Sequence, residues 1–424
     1  MQEEFLHYLW QFQKFDFTRA ITSDGETLEI LETGSHNLYS GPDFFNAKIR
    51  ISNQVWAGNI EIHLKSSHWY AHAHELDPNY DSVILHVVWE NDVSVFRKDN
   101  SKIPCLALKN LVHPATLANY QNLLEKKHLW INCENDFKNF NKFEIDHWLE
   151  RLYFEKLEEK TKLILNLLEK SENNWEAVLF KMLARSFGLN VNGEAFLSMA
   201  SSFNFNLLAK NQKLTSLEAL LFGQAGLLNA DFKDNYEKQL YEEYQFLKHK
   251  NNLQNEHLIP PKYFRLRPDN FPNIRLAQLA AVYTKHTALF SKITKLNTKE
   301  ELYDFFEVDI APYWQTHYNF DKEHKPRNKK LSKAFIDLLI INCLIPMRFS
   351  FASRMGEEQN LELLNLISSL PPEHNAIIKK FNGLRKNTAS TALDSQALIR
   401  LKSHYCDKNR CLKCELGVQL LQRA

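Results

Sequence analysis

The stretch that most limits how this chain folds is Gly41–Lys65, GPDFFNAKIRISNQVWAGNIEIHLK. It holds two runs of alternating apolar and polar residues, separated by Ser52-Asn53. Alternation with period two is the pattern of a β-strand with one buried face. The two runs therefore predict strands near 44–52 and 54–65. In the second run Ile60, Ile62 and Leu64 fall on one face, and Glu61, His63 and Lys65 on the other. Asp43 stands just ahead of the first run, in a Gly-Pro-Asp turn. Any antiparallel strand with one wet face alternates in this way. What sets this one apart is an acid, an imidazole and an ammonium on one face, beside a neighbouring carboxylate. Such a face is the wall expected of a site for a metal ion and a phosphate.

The flanking sequence supplies a small α/β domain. Phe5, Leu6, Leu9, Trp10 and Phe12 recur at helical spacing over 3–14. A strand reads over 26–32, and a helix opens on serine over 66–78. SVILHVVWE, 82–90, is a continuous apolar run that suits a buried central strand. Two weaker strands follow at 93–97 and 102–108, as a hairpin. Beyond about 111 the pattern turns helical, most strongly over 142–170. Further helices read near 175–187, 194–201, 214–222, 234–249, 273–289, 330–345, 359–369 and 392–404. Pro260-Pro261 and RLRPDNFPN mark a long loop. The expected fold class is α+β: a mixed sheet flanked by helices over 1–110, a connecting segment over 111–140, and a larger all-α domain over 141–424.

Composition narrows the functional classes. The net charge of +1 does not announce a nucleic-acid binder, though local basic patches remain open. Only 11 glycines and 13 prolines, against 29 phenylalanines, favour packed helical structure over disorder. No uninterrupted run of about 18 apolar residues occurs, and the first residues lack the basic start and cleavage site of a signal peptide. Six cysteines, three scattered and three clustered, do not form a secreted disulfide framework and suit a reducing cytoplasm. The expectation is a cytoplasmic protein without a membrane span.

Helix, three strands, helix, strand, with Asp43 before the second strand and the charged row on the third, resembles the PD-(D/E)XK nuclease superfamily. This is the restriction-endonuclease-like fold, and the resemblance covers about residues 1–110. It implies metal-dependent hydrolysis of DNA or RNA, with Asp43 and Glu61 holding Mg²⁺ or Mn²⁺. Acid-x-Lys spacing puts His63 in the place of the family's lysine, and Lys65 lies one step further along; either takes the role. An acid from the first helix, Glu3 or Glu4, would complete such a set. The chemistry is consistent: phosphodiester hydrolysis uses a divalent ion, hard cations take carboxylate oxygens, and a neighbouring cation stabilises the transition state. Two rival readings stand beside it. One is a catalytically inactive nuclease fold that binds nucleic acid or acts as a scaffold. The other is a histidine/carboxylate metal hydrolase acting on a small molecule. The whole chain also resembles a bacterial domain-of-unknown-function family. That family carries GPDF, EIH, FGQAG, RLRP-x-NFP and a C-terminal cysteine cluster, here Gly41–Phe44, Glu61–His63, Phe222–Gly226, Arg265–Pro272 and Cys406–Cys414.

Other groupings carry chemistry of their own. His63, His68, His72, His74 and His86 crowd one region, and His68 and His72 would share a helix face. With Glu61 they offer a Zn²⁺ or Mn²⁺ site; the plainer reading is surface histidines and one core histidine. Cys406-x4-Cys411-x2-Cys414 suits Zn²⁺ or an iron–sulfur cluster, with His404 or Cys133 as fourth ligand; the plainer reading is three reduced structural cysteines. Arg265, Arg267 and Arg275 grip phosphates or bridge helices. Tyr313, Trp314, His317 and Tyr318 stack bases or fill a core.

Overall fold

The two alternating runs become the centre of a six-stranded sheet. The computed structural model describes residues 1–37, 40–124, 129–357 and 360–422. Its first elements are α1 (Glu3–Gln11), β1 (Leu28–Glu32), β2 (Ser35–His36), β3 (Phe44–Ile51), β4 (Gln54–Lys65), α2 (His68–Ala71), β5 (Val83–Glu90) and β6 (Cys105–Ala107). The strand order is β1-β3-β4-β5-β6, with β2 beside β3. The β1–β3–β4 meander is antiparallel, and β4–β5 and β5–β6 are parallel. A parallel neighbour requires a crossover, and the segment holding α2 is the one between β4 and β5.

Val83 to Val88 are all buried, as expected of a strand covered on both faces. On one side α1 sets Phe5, Leu6, Leu9 and Trp10 into a core with Ile49, Ile60, Ile62, Leu85 and Val87. Each such side chain contributes roughly 1.5–3 kcal/mol on burial. A smaller cluster, Trp69, Tyr80, Val83, Val95 and Ile103, forms around the crossover segment. The hairpin expected over 93–108 is reduced to one bridge, Phe96–Lys102; β6 instead runs parallel to β5. The main-chain hydrogen bond from Ile103 to Val95 closes that turn.

The chain divides into two units, Met1–Trp148 with Leu401–Ala424, and Leu149–Arg400. The sequence division had kept the last residues with the helices. They return to the first unit because the helix Glu415–Gln422 places Leu421 in its core, with Val418 and Leu420 packed against it. The second unit is helical. Its 23-residue segment Lys333–Met355 contains an 18-residue window of mean hydropathy 1.7, long and apolar enough to cross a membrane; 72% of that window is buried in the protein. The apolar run is not continuous: Asp337, Asn342 and Arg348 interrupt it.

Gly58 lets β4 and β5 close on one another. A Cβ there would stand 2.5 Å from Ile84 Cγ2 and 2.6 Å from the Ser82 carbonyl oxygen. Gly58→Ala should therefore destabilise the first unit by about 1–3 kcal/mol, as overpacking does. Urea unfolding with an unchanged midpoint would contradict that close approach.

Candidate functional site

Ile60 and Ile62 enter the core, and Glu61 and His63 take the opposite face of β4. That face is not wet: Glu61 is 5% exposed and His63 1%. Lys65, at the end of the strand, is exposed and stands outside the buried group. Asp43 immediately precedes β3 and meets β4 through a reciprocal pair of hydrogen bonds. Its Oδ2 accepts the Ile62 N–H at 2.9 Å, and Glu61 Oε2 accepts the Asp43 N–H at 3.2 Å. Each carboxylate is thus anchored on the other strand's backbone.

The lid over Glu61 and His63 is the segment after β4. The expected helix over 66–78 stops at Ala71, and Ala73 adopts the left-handed conformation, φ 57° and ψ 34°. A left-handed alanine costs on the order of 1–3 kcal/mol, which surrounding contacts must offset. Its effect is to turn the chain so that His72 and His74 both meet His63. His63 Nε2 lies 3.0 Å from His72 Nδ1, and His63 Nδ1 lies 2.8 Å from His86 Nε2. Glu61 Oε1 is 3.3 Å from His74 Nε2 and 3.6 Å from His63 Nε2. His63, His72 and His74 form a three-ligand group whose donor atoms all lie within 4.8 Å of one another. His68, expected to act with His72 from one helix face, keeps its ring 6.0 Å from those of His63 and His72. The His74 ring stacks on Tyr80 at 3.8 Å.

α1 adds two groups. Glu3 accepts the Leu64 N–H and feels the Asp43 charge, whereas Glu4 is exposed. His7 Nε2 lies 3.4 Å from Asp43 Oδ2. The sequence reading missed His7, although its i,i+4 spacing from Glu3 puts both on one helix face.

Burial sets the charge state. Desolvation, and then the Asp43 charge, push Glu61 up to about 9. Desolvation and the surrounding imidazoles push His63 down to about 2 and His86 to about 3, and lower His74. At neutral pH Glu61 keeps its proton and His63 and His86 are neutral, so the Glu61–His63 approach is a contact of uncharged groups. Neutral imidazole is the metal-binding form. His74 Nε2 and His7 Nε2 are buried without an aligned hydrogen bond. The donor set, three imidazoles and a carboxyl with an orphaned nitrogen, fits a transition-metal ion.

A family model described as "Protein of unknown function (DUF2851)" matches residues 3–376. The chain belongs to this family. Four of the five segments quoted above lie within the matched DUF2851 region, and Cys406–Cys414 lies after it. No curated protein and no solved structure matches this DUF2851 chain.

The remaining residues singled out in the DUF2851 sequence separate. Cys406, Cys411 and Cys414 gather with Cys133 in the first unit: the Cys406 thiol is pushed up by burial and by the other three. His404 instead places Nδ1 2.8 Å from Ser403 Oγ. Arg265 and Arg267 are exposed. Arg275 is buried, bonded to Gln278 and Asn270 and lying 3.6 Å over the Phe335 ring, which withdraws it from phosphate contact. Tyr313 stacks on His317 at 3.9 Å, and Trp314 is fully buried with its indole N–H on Glu218, so these aromatics fill a core.

The cluster predicts a pH signature in chelator-treated protein. Below the ordinary histidine value of 6.5 the unfolded chain binds protons that His63, His86 and His74 refuse, so stability falls with acid. Glu61 keeps its proton to about 9 when folded but only to about 4.5 when unfolded, so its contribution falls as pH rises between those values. Glu61→Gln should remove the alkaline decline, a slope of roughly 1.4 kcal/mol per pH unit between 6.5 and 9. Identical slopes for wild type and variant in denaturant titrations would refute the raised Glu61.

Proposed function

We propose that this protein is a metal-dependent hydrolase of phosphodiester bonds, a nuclease, with its site on the first unit. The observation that carries the reading is the meeting of Asp43, Glu61 and His63 with His72 and His74 at one point on the sheet. The element order supports the reading, because α1, a three-strand meander, the α2 segment and a parallel strand are the order expected of a restriction-endonuclease-like fold. Asp43 leads the second strand of the meander and Glu61-x-His63 lies on the third, with β2 a short addition beside β3.

The donor set favours Zn²⁺ or Mn²⁺ over Mg²⁺, because imidazole suits the transition metals and Mg²⁺ takes oxygen ligands and water. His63, His72, His74 and Glu61 would hold the ion. Once bound, it would lower the pKa of a water and neutralise charge developing on phosphate. His86 orients the His63 ring through its Nδ1 contact, the supporting role that outer partners play at imidazole ligands. Asp43, 23% exposed at its side chain, is the acid of the pair that solvent reaches, and it is placed to orient a water. Lys65, exposed on the same face of β4, supplies a cation for a substrate phosphate.

The test is cleavage of plasmid, single-stranded DNA, RNA and bis(p-nitrophenyl) phosphate with Zn²⁺, Mn²⁺ or Mg²⁺ supplied in turn. Turnover with Mn²⁺ or Zn²⁺ should exceed that with Mg²⁺. Asp43→Asn and His72→Ala should each lower it by about 100-fold or more, as loss of one transition-state contact does. Salt-sensitive DNA or RNA binding without cleavage under any ion would replace the nuclease with a binding scaffold. Cleavage of the small ester alone would make this a small-molecule hydrolase.

A further inference from the structure

We infer that Cys133, Cys406, Cys411 and Cys414 form a second metal centre, a tetrathiolate site for a thiophilic metal that fastens the returning C-terminal segment to the first unit. Four of the six cysteines take part; Cys105 and Cys343 are buried elsewhere, one in β6 and one in the second unit. Cys133 comes from far away in sequence. The neighbouring Asn132 fixes the meeting, its amide donating to Asn409 Oδ1 at 3.2 Å and to Cys411 Sγ at 3.3 Å. Cys133 and Cys411 pack against the same apolar core as Val418 and Leu420.

The local backbone is shaped to aim the sulfurs. Cys406 ends a π-helical turn, Leu401–Cys406, and Asn409 turns the chain with φ 52°. Cys411–Lys413 is a single 3₁₀ turn, closed by the Cys414 N–H on the Cys411 carbonyl at 3.2 Å. Gly417 makes room for that turn: a Cβ there would lie 2.1 Å from the Cys411 carbonyl oxygen. The N–H groups of Leu416 and Gly417 and the Trp148 indole N–H are directed at the buried Cys414 sulfur. Three or four thiolates from a short knuckle and one remote strand of chain are the ligand set of structural zinc and of iron–sulfur clusters. On binding, the thiols release their protons to solvent and the sulfurs donate to the metal; no oxidation is involved for zinc, and a cluster would be acquired with its own iron and sulfide.

The experiment uses the full chain carrying His72→Ala and His74→Ala, so that metal counted belongs to the cysteines. It is purified anaerobically without chelator and analysed for zinc, iron and acid-labile sulfide. About one centre per chain is expected. Zinc without visible absorption identifies a mononuclear site; iron with sulfide and visible absorption identifies a cluster. Cys133→Ser and Cys411→Ser should each reduce the metal content at least several-fold and expose the remaining thiols to alkylation, whereas His404→Ala and Cys105→Ser should retain it. Should Cys133→Ser or Cys411→Ser fail to fold, alkylation of the native chain decides: four thiols protected until chelator is added support the site. Four thiols that react at once in metal-free protein as isolated, or full metal content in a soluble Cys133→Ser, would overturn it.

Discussion

The first unit depends on the exchange of hydrogen bonds between Asp43 and the strand that carries Glu61. A carboxylate at the head of β3 takes the Ile62 N–H, and Glu61 takes the Asp43 N–H in return. These bonds sit just past the Phe44–Ile60 pair that ends the β3–β4 ladder. At such an end the ladder leaves backbone groups unpaired, and side-chain acceptors are the available substitutes. The same two carboxylates are therefore structural and chemical at once. Burial, and then the Asp43 charge, raise Glu61, and burial likewise keeps the His63 and His86 imidazoles neutral.

Much of this frame was legible in the sequence, because two-residue alternation is a direct image of strand geometry. β4 occupies the residues expected of it, and the opposed sets Ile60/Ile62 and Glu61/His63 face as alternation requires. The continuous apolar run of β5 declared its burial in the same way. The chemistry of the lid was less legible. Helical periodicity carries no sign that Ala73 will turn left-handed, since alanine is a strong helix former and glycine the usual occupant of that conformation. The expected pairing of His68 with His72 followed from an unbroken helix; the broken one brings in His74. Likewise, no local pattern marks Leu421 as a core residue of a sheet built from the start of the chain. Arg275 illustrates the converse limit, for a loop arginine and a buried one differ only in what packs around them.

The second unit shows how polar groups are accommodated in a helical core. Arg348, 2% exposed, donates to the Leu296 carbonyl and to Asn297. Glu218, wholly buried, accepts from Tyr236 and Trp314, and burial lifts it to about 7. Lys160 bonds the Ile341 carbonyl and Asn342 in the π-helical turn Ile340–Leu344. Widening a helix by one residue per turn frees carbonyls from the regular ladder, and a buried ammonium is a natural partner for one. Partners of this kind fix the register of neighbouring helices more sharply than apolar contact alone, because an unmet buried donor costs more than a shifted methyl group.

The return of the last segment to the sheet unit has a consequence for synthesis. The second unit is an insertion: its residues leave the ribosome after β1 to β6 and before the helix Glu415–Gln422. At roughly 5–20 residues per second, on the order of ten seconds or more separates the sheet from the helix that seals it. Throughout that interval the surface awaiting Val418, Leu420 and Leu421 is open to water and to other nascent chains. The inserted helices, whose contacts lie within one continuous stretch, can reach their own structure first. Closing the sheet unit then waits on the segment that follows the inserted helices, and its timing belongs to the translation machinery as much as to the sequence.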